Sequence, residues 1–119
     1  MTVLAVRQSC PVQWTEVCGY DDMVPERPVA ALVDAGQVAI VRLHDGGVHA
    51  VDNRDPFSGA NVLARGIVGT AGDAHVLVSP MFKQCFDLRT GVCLDDPAVR
   101  LTVHPVQVVD GQVLIGTPG

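Results

Sequence analysis

At 119 residues the chain is the size of one domain, and 48% apolar against 18% charged residues marks it as folded and not disordered. A net charge of −5, with Lys83 the only lysine, leaves no basic stripe for nucleic acid. No apolar run reaches the ~18 residues of a membrane-spanning helix, and the N-terminus lacks the basic start and long apolar stretch of a signal peptide, so a cytoplasmic location is expected.

Aromatic residues make up only 4% of the chain, so the core must come from Val, Leu, Ile and Ala, and β-branched residues favour strands. Residues 1–11 read as a lead-in and 13–18 as a short strand, with Trp14 a core or interface anchor. Residues 20–28, with two prolines, read as a polar loop. Residues 29–33 form a strand ended by Asp34-Ala35-Gly36, and 37–44 form the next. In that second strand Ala39, Val41 and Leu43 share one face, and Val38, Ile40, Arg42 and His44 share the other. Asp45-Gly46-Gly47 turns the chain into a return strand over 48–52. Residues 61–65 have helical character for about one turn, which Gly66 stops. Residues 67–70 and 75–78 are two strands, and 85–87, a turn over 88–91 and 92–94 form a small hairpin. A last hairpin pairs 103–109 with 112–115 on an Asp110-Gly111 turn, with Pro105 at a strand edge or start. Short strands with Gly and Asp turns predict an all-β, antiparallel sandwich or small barrel forming a single domain over 1–119.

Cys10, Cys18, Cys85 and Cys93 form no C-x-x-C pair, and no histidine stands at zinc-ligand spacing from them. They are expected to be free, mostly buried thiols, with Cys85 and Cys93 facing each other across their hairpin. His44, His49, His75 and His104 fall on strands or beside turns and read as solvated strand-face residues, with no nucleophile or carboxyl group grouped around them. Ser79 lacks a G-x-S-x-G elbow, and there is neither a phosphate-binding glycine loop nor a dinucleotide fingerprint.

Two loops, 53–60 and 79–85, each follow a strand and contain a proline. The first reads Asn53-Arg54-Asp55-Pro56-Phe57-Ser58 and the second Ser79-Pro80-Met81-Phe82-Lys83-Gln84, followed by Cys85-Phe86-Asp87 and then Thr90-Gly91. Their spacing and the F-D-x-x-T-G continuation resemble the two cluster-binding loops of Rieske iron–sulfur domains, where C-x-H and C-x-x-H hold a [2Fe–2S] centre. All four ligand positions differ here: Asp55, Phe57, Ser79 and Phe82 occupy them. A phenyl ring has no lone pair for iron, and a serine hydroxyl is a poor substitute for a thiolate. The resemblance therefore implies a Rieske-like fold without a cluster. The two loop strings are similar to those of the small subunits of siroheme-dependent NAD(P)H nitrite reductases, and that resemblance spans nearly the whole chain.

This resemblance implies a non-catalytic small subunit supporting a large flavoprotein subunit that carries FAD, siroheme and an iron–sulfur cluster and reduces nitrite to ammonium. No cofactor, catalytic residue or metal ligand is expected in this chain. The phenyl rings either face outward as a docking surface or turn inward to fill the space of the lost cluster, and different rings can do each. The expected partner contact is Phe57, Pro80, Met81, Phe82, Lys83 and Gln84. Arg54 and Arg65 read as donors of loop-stabilising hydrogen bonds and Lys83 as a solvated loop cation. The alternatives are a Rieske-type ferredoxin, which the ligand losses oppose, and a stand-alone interaction module on the same fold.

Overall fold

The computed structural model describes residues 12–33 and 36–118, which form ten strands in three antiparallel sheets. The lead-in, Cys10 and the Asp34-Ala35 part of the first turn lie outside the described residues. Strands β1 (Val12–Gly19), β10 (Gln112–Pro118) and β9 (Val106–Val109) form one sheet in the order β1-β10-β9. A second sheet has the order β2 (Val29–Val33), β3 (Gly36–Arg42), β4 (Val48–Asp52), β8 (Val103–His104). The third runs β5 (Ile67–Ala71), β6 (Ala74–Val78), β7 (Cys85–Asp87).

The middle sheet is covered on both faces. Ala39, Val41 and Leu43 on one side of β3, with Val51 of β4, pack into a cluster with Leu63, Leu77, Phe86, Leu88, Cys93 and Leu101. Val38 and Ile40, with Ala50, pack on the opposite side against Met23, Val113 and Ile115. Period-two alternation thus assigns each side chain of β3 to one of two cores. Burying one such Val, Leu or Ile contributes roughly 1.5–3 kcal/mol, and β3 does so on both faces. Arg42, at its end, lies 4.0 Å over the Tyr20 ring and donates to the Tyr20 and Met23 carbonyls, which fastens the 20–28 loop to the sheet. That loop opens with a short 3-10 turn, Tyr20–Asp22.

Three details depart from the sequence reading. The strand expected over 103–109 is two strands in different sheets, β8 against β4 and β9 against β10. Pro105 has no N–H to continue a ladder, and the chain changes sheets there. The return strand over 92–94 is reduced to a bridge, Phe86 to Cys93, because Cys93 turns its N–H to Val99 and Val92 bridges to Arg100. Of the two roles read for Trp14, core or interface anchor, the core one fails, since the side chain is 42% exposed. The remaining hairpins match, including Asp110 and Gly111 with φ of 51° and 79°, the paired positive angles of a primed two-residue turn. The helical turn at 61–65 is the 3-10 turn Leu63–Arg65, closed at Gly66.

Gly91 sets the exit of the 88–91 turn. Its φ is +80°, and a Cβ there would lie 2.2 Å from the Leu101 carbonyl oxygen. Gly91→Ala is expected to cost about 3 kcal/mol or more, read from urea unfolding midpoints. Gly69→Ala, on β5 where no heavy atom lies within 4 Å, is the control and changes stability by less than about 1 kcal/mol.

Candidate functional site

Strand β4 delivers the chain into loop 53–60 and β6 delivers it into loop 79–85, so the two loops meet at one end of the domain. The base of the first is fixed by Asn53, which is 2% exposed. Its side chain donates to Gln37 Oε1 at 2.9 Å and accepts from the Ala64 N–H at 2.7 Å. The loop closes on itself through Asp55 N–H to the Ala60 carbonyl and Gly59 N–H to the Asp55 carbonyl, at 2.8 and 2.7 Å. The second loop closes through Ser79 N–H to the Gln84 carbonyl and Lys83 N–H to the Ser79 carbonyl, at 2.9 and 3.0 Å. Lys83 takes a left-handed φ of 63° in doing so.

A side-chain hydrogen bond joins the two loops. The Ser79 hydroxyl donates to Asp55 Oδ2 at 2.5 Å, and both residues are completely buried. Asp55 Oδ1 accepts the Phe57 N–H at 2.8 Å, and Ser79 Oγ accepts the Met81 N–H at 3.2 Å. Each polar side chain therefore holds its own loop and the other loop together, and each side-chain oxygen of Asp55 and Ser79 has a partner.

The aromatic rings divide between the two roles. Phe57 is 37% exposed, with its ring centroid 6.3 Å from the buried Phe86 at a 44° tilt, so it partly fills the space beneath the loops. Phe82 is 56% exposed and Met81 47%, and both face outward. Pro80 and Lys83 are also exposed, and Gln84 is half-buried.

Residues 13–116 match the model of the Rieske-like [2Fe-2S] domain family. The chain is 38% identical over 102 residues to the nitrite reductase (NADH) small subunit of Escherichia coli K12, covering 85% of this chain and 94% of that protein. The chain belongs to this Rieske-like family of nitrite reductase small subunits. A crystal structure from Mycobacterium tuberculosis, assigned as an NADH-dependent nitrite reductase small subunit, superposes with a TM-score of 0.86 at 49% identity, covering 89% of this chain and 96% of that one. A nitrite reductase [NAD(P)H] large subunit of Klebsiella oxytoca contains a segment 36% identical over 103 residues, 87% of this chain and 11% of that protein.

The family description names a [2Fe–2S] centre, and the residues here do not fit one. Of the four ligand positions, Phe57 and Phe82 have no donor atom, and Asp55 and Ser79 spend theirs on each other and on backbone N–H groups. Among the described residues, no group of three or more His, Cys, Asp or Glu side chains is placed to hold a metal ion. Cys18, Cys85 and Cys93 are free thiols, with Cys93 buried and the other two half-buried. Burial, then Asp95 and Cys93, pushes the Cys85 thiol above its usual range, which disfavours the nucleophilic thiolate. No helix among the described residues is long and apolar enough to cross a membrane.

Several residues stand differently from the sequence reading. Arg54 and Arg65 make no side-chain hydrogen bond or ion pair among the described residues, so the loops are closed by Asn53, Asp55 and Ser79 instead. His104 is not solvated: it is 9% exposed, with Nε2 2.8 Å from Asp52 Oδ1. The Asp55–Ser79 bond was not anticipated, although both cysteine positions had changed to a hydrogen-bonding pair of residue types.

At the far end of the domain, His49, His75, Asp45, Asp73, Asp87 and Arg89 line a cleft of about 210 Å³ beside the strand turns. Burial holds His49 below the usual histidine range, against the opposing pull of Asp45.

Two predictions follow from these geometries. Ser79→Ala strands Asp55 Oδ2 in the interior and is expected to cost about 1–3 kcal/mol. In a cycle with Asp55→Ala, the double variant should lose less than the sum of the single losses, because both singles break the same bond; unfolding midpoints read this directly. As pH falls below about 6.5, the unfolded state protonates His49 before the folded state does, so stability drops until the pH passes the lowered folded value. His49→Gln removes that component, and the difference between the two pH profiles of unfolding midpoint isolates it.

Proposed function

We propose that this chain is the non-catalytic small subunit of a cytoplasmic NAD(P)H-dependent nitrite reductase. It binds a large flavoprotein subunit that carries FAD, an iron–sulfur cluster and siroheme, and that reduces nitrite to ammonium. The observation that carries this reading is the replacement of all four Rieske ligand positions by a closed Asp55–Ser79 bond and two phenyl rings, in a chain so similar to nitrite reductase small subunits. Redox chemistry is then left to the partner, and what remains for this chain is to bind, orient and shield.

The Klebsiella large subunit supports the pairing, since it holds a segment like this domain within its own chain. A domain joined to its partner in one organism and separate in another is expected to bind that partner in both. The contact proposed is the loop end, through Phe57, Pro80, Met81, Phe82, Lys83 and Gln84. Met81 and Phe82 place apolar side chains in water, and such a patch gains free energy when a partner covers it.

The test is nitrite-dependent NAD(P)H oxidation by the large subunit with and without this chain, together with co-purification. Phe82→Asp is expected to weaken association at least about tenfold, as loss of an aromatic anchor does, without changing the unfolding midpoint. Phe57→Asp should weaken both, because that ring also packs on Phe86. Unchanged association of both variants retires the loop end as the contact.

A further inference from the structure

The loop end differs in charge from the rest of the molecule. In segments 53–67 and 78–84 the charged side chains are Arg54, Asp55, Arg65 and Lys83. Asp55 is completely buried, whereas the three cations are exposed. They are three of the eight Lys and Arg residues in a chain whose net charge is −5. None of the three makes an ion pair or side-chain hydrogen bond among the described residues, and the ion pairs found there are both His–Asp. The nearby carboxyl groups form no ion pair with them: Asp52, which lines a cleft with Arg54, bonds to His104, and Asp95 accepts the Cys85 N–H at 2.9 Å.

Apolar surface runs between these cations. Arg65, Ile67, Pro80 and Lys83 line one cleft of about 260 Å³ beside the second loop. Ile67, at the start of the edge strand β5 and paired there with Val78 just before the second loop, is 71% exposed. Across the first loop, Arg54 lines another cleft with Leu32, which is 75% exposed. The result is an apolar centre with a rim of three cations that form no ion pair among the described residues. Cations held at the rim of an apolar contact act by steering and by selecting an oppositely charged partner face.

We infer that the loop end docks by an apolar centre of Ile67, Met81 and Phe82 and a cationic rim of Arg54, Arg65 and Lys83 onto a face of the large subunit in which carboxylates ring an apolar depression. This rests on the proposed pairing with that subunit and specifies the chemistry of the face that it must present. A symmetric pair of copies of this chain is disfavoured at the same surface, because a two-fold contact brings the cationic rims together.

The experiment titrates the labelled chain with the cofactor-loaded large subunit across a range of NaCl concentrations. It compares the native chain with R54E/K83E and with R27E/R89E, a variant of equal net charge altered away from the loop end. Native binding should weaken as salt rises. R54E/K83E should weaken it about tenfold or more at low salt, mainly through the association rate, and lose most of the salt dependence. R27E/R89E should stay within about twofold of native. Equal effects of the two variants, or native-like binding by R54E/K83E while Phe82→Asp still weakens it, overturn the charged rim and leave the pairing intact. Absence of binding by the native chain overturns both. Sedimentation of the chain alone covers the remaining occupant: salt-sensitive self-association abolished by R54E/K83E assigns the surface to a second copy and overturns the inference.

Discussion

One buried hydrogen bond, from the Ser79 hydroxyl to Asp55, holds the functional end of this domain together. The loops that it joins leave different sheets, one from β4 and one from β6, and no backbone ladder crosses between those strands. In a Rieske domain a metal centre bound from both loops performs this closure. Here the side chains of Asp55 and Ser79 join the loops with a single 2.5 Å contact, shielded from water, where such a bond is strongest. The flanking N–H groups of Phe57 and Met81 bond to Asp55 Oδ1 and Ser79 Oγ, so each side-chain oxygen of the pair is engaged.

That closure is possible because β3 holds the layers in register. Its side chains serve two cores in alternation, so the sheets on either side are positioned against a common strand. With its residues committed to packing, chemistry and recognition are confined to what the loops and turns present. The two ends of the domain then differ. At one end the loops present Met81, Phe82 and unpaired cations; at the other, His49 and His75 sit among Asp45, Asp73 and Asp87. The same frame thus has one end with exposed apolar and cationic side chains and another with histidines among carboxyl groups.

Phenylalanine at 57 and 82, the positions read from the loop strings as those of the Rieske histidines, limits how the tip can act. An imidazole at a Rieske tip ligates iron and can exchange protons with water, while a phenyl ring can only bury area. Phe57 does this inside the chain, against Phe86, and Phe82 has no such ring partner among the described residues. The proposed role, built on contact, is consistent with that difference in side-chain chemistry.

Much of this was legible in the amino-acid order. Alternation assigned Val38 and Ile40 to one face and Ala39, Val41 and Leu43 to the other, and Asp110-Gly111 marked its hairpin, because these signals lie within a few residues of each other. The two proline loops and the lost ligands were legible too, since they are local strings. Other features depended on where distant segments meet. Asp55 and Ser79 are 24 residues apart, and Asp52 and His104 are 52 apart, and no local pattern pairs them. The split of β8 from β9 at Pro105, and the lack of an ion pair at Arg54 and Arg65 among the described residues, likewise emerged only with the packed sheets. Side-chain periodicity specifies which face a residue presents; the path of the chain through three sheets decides what that face meets.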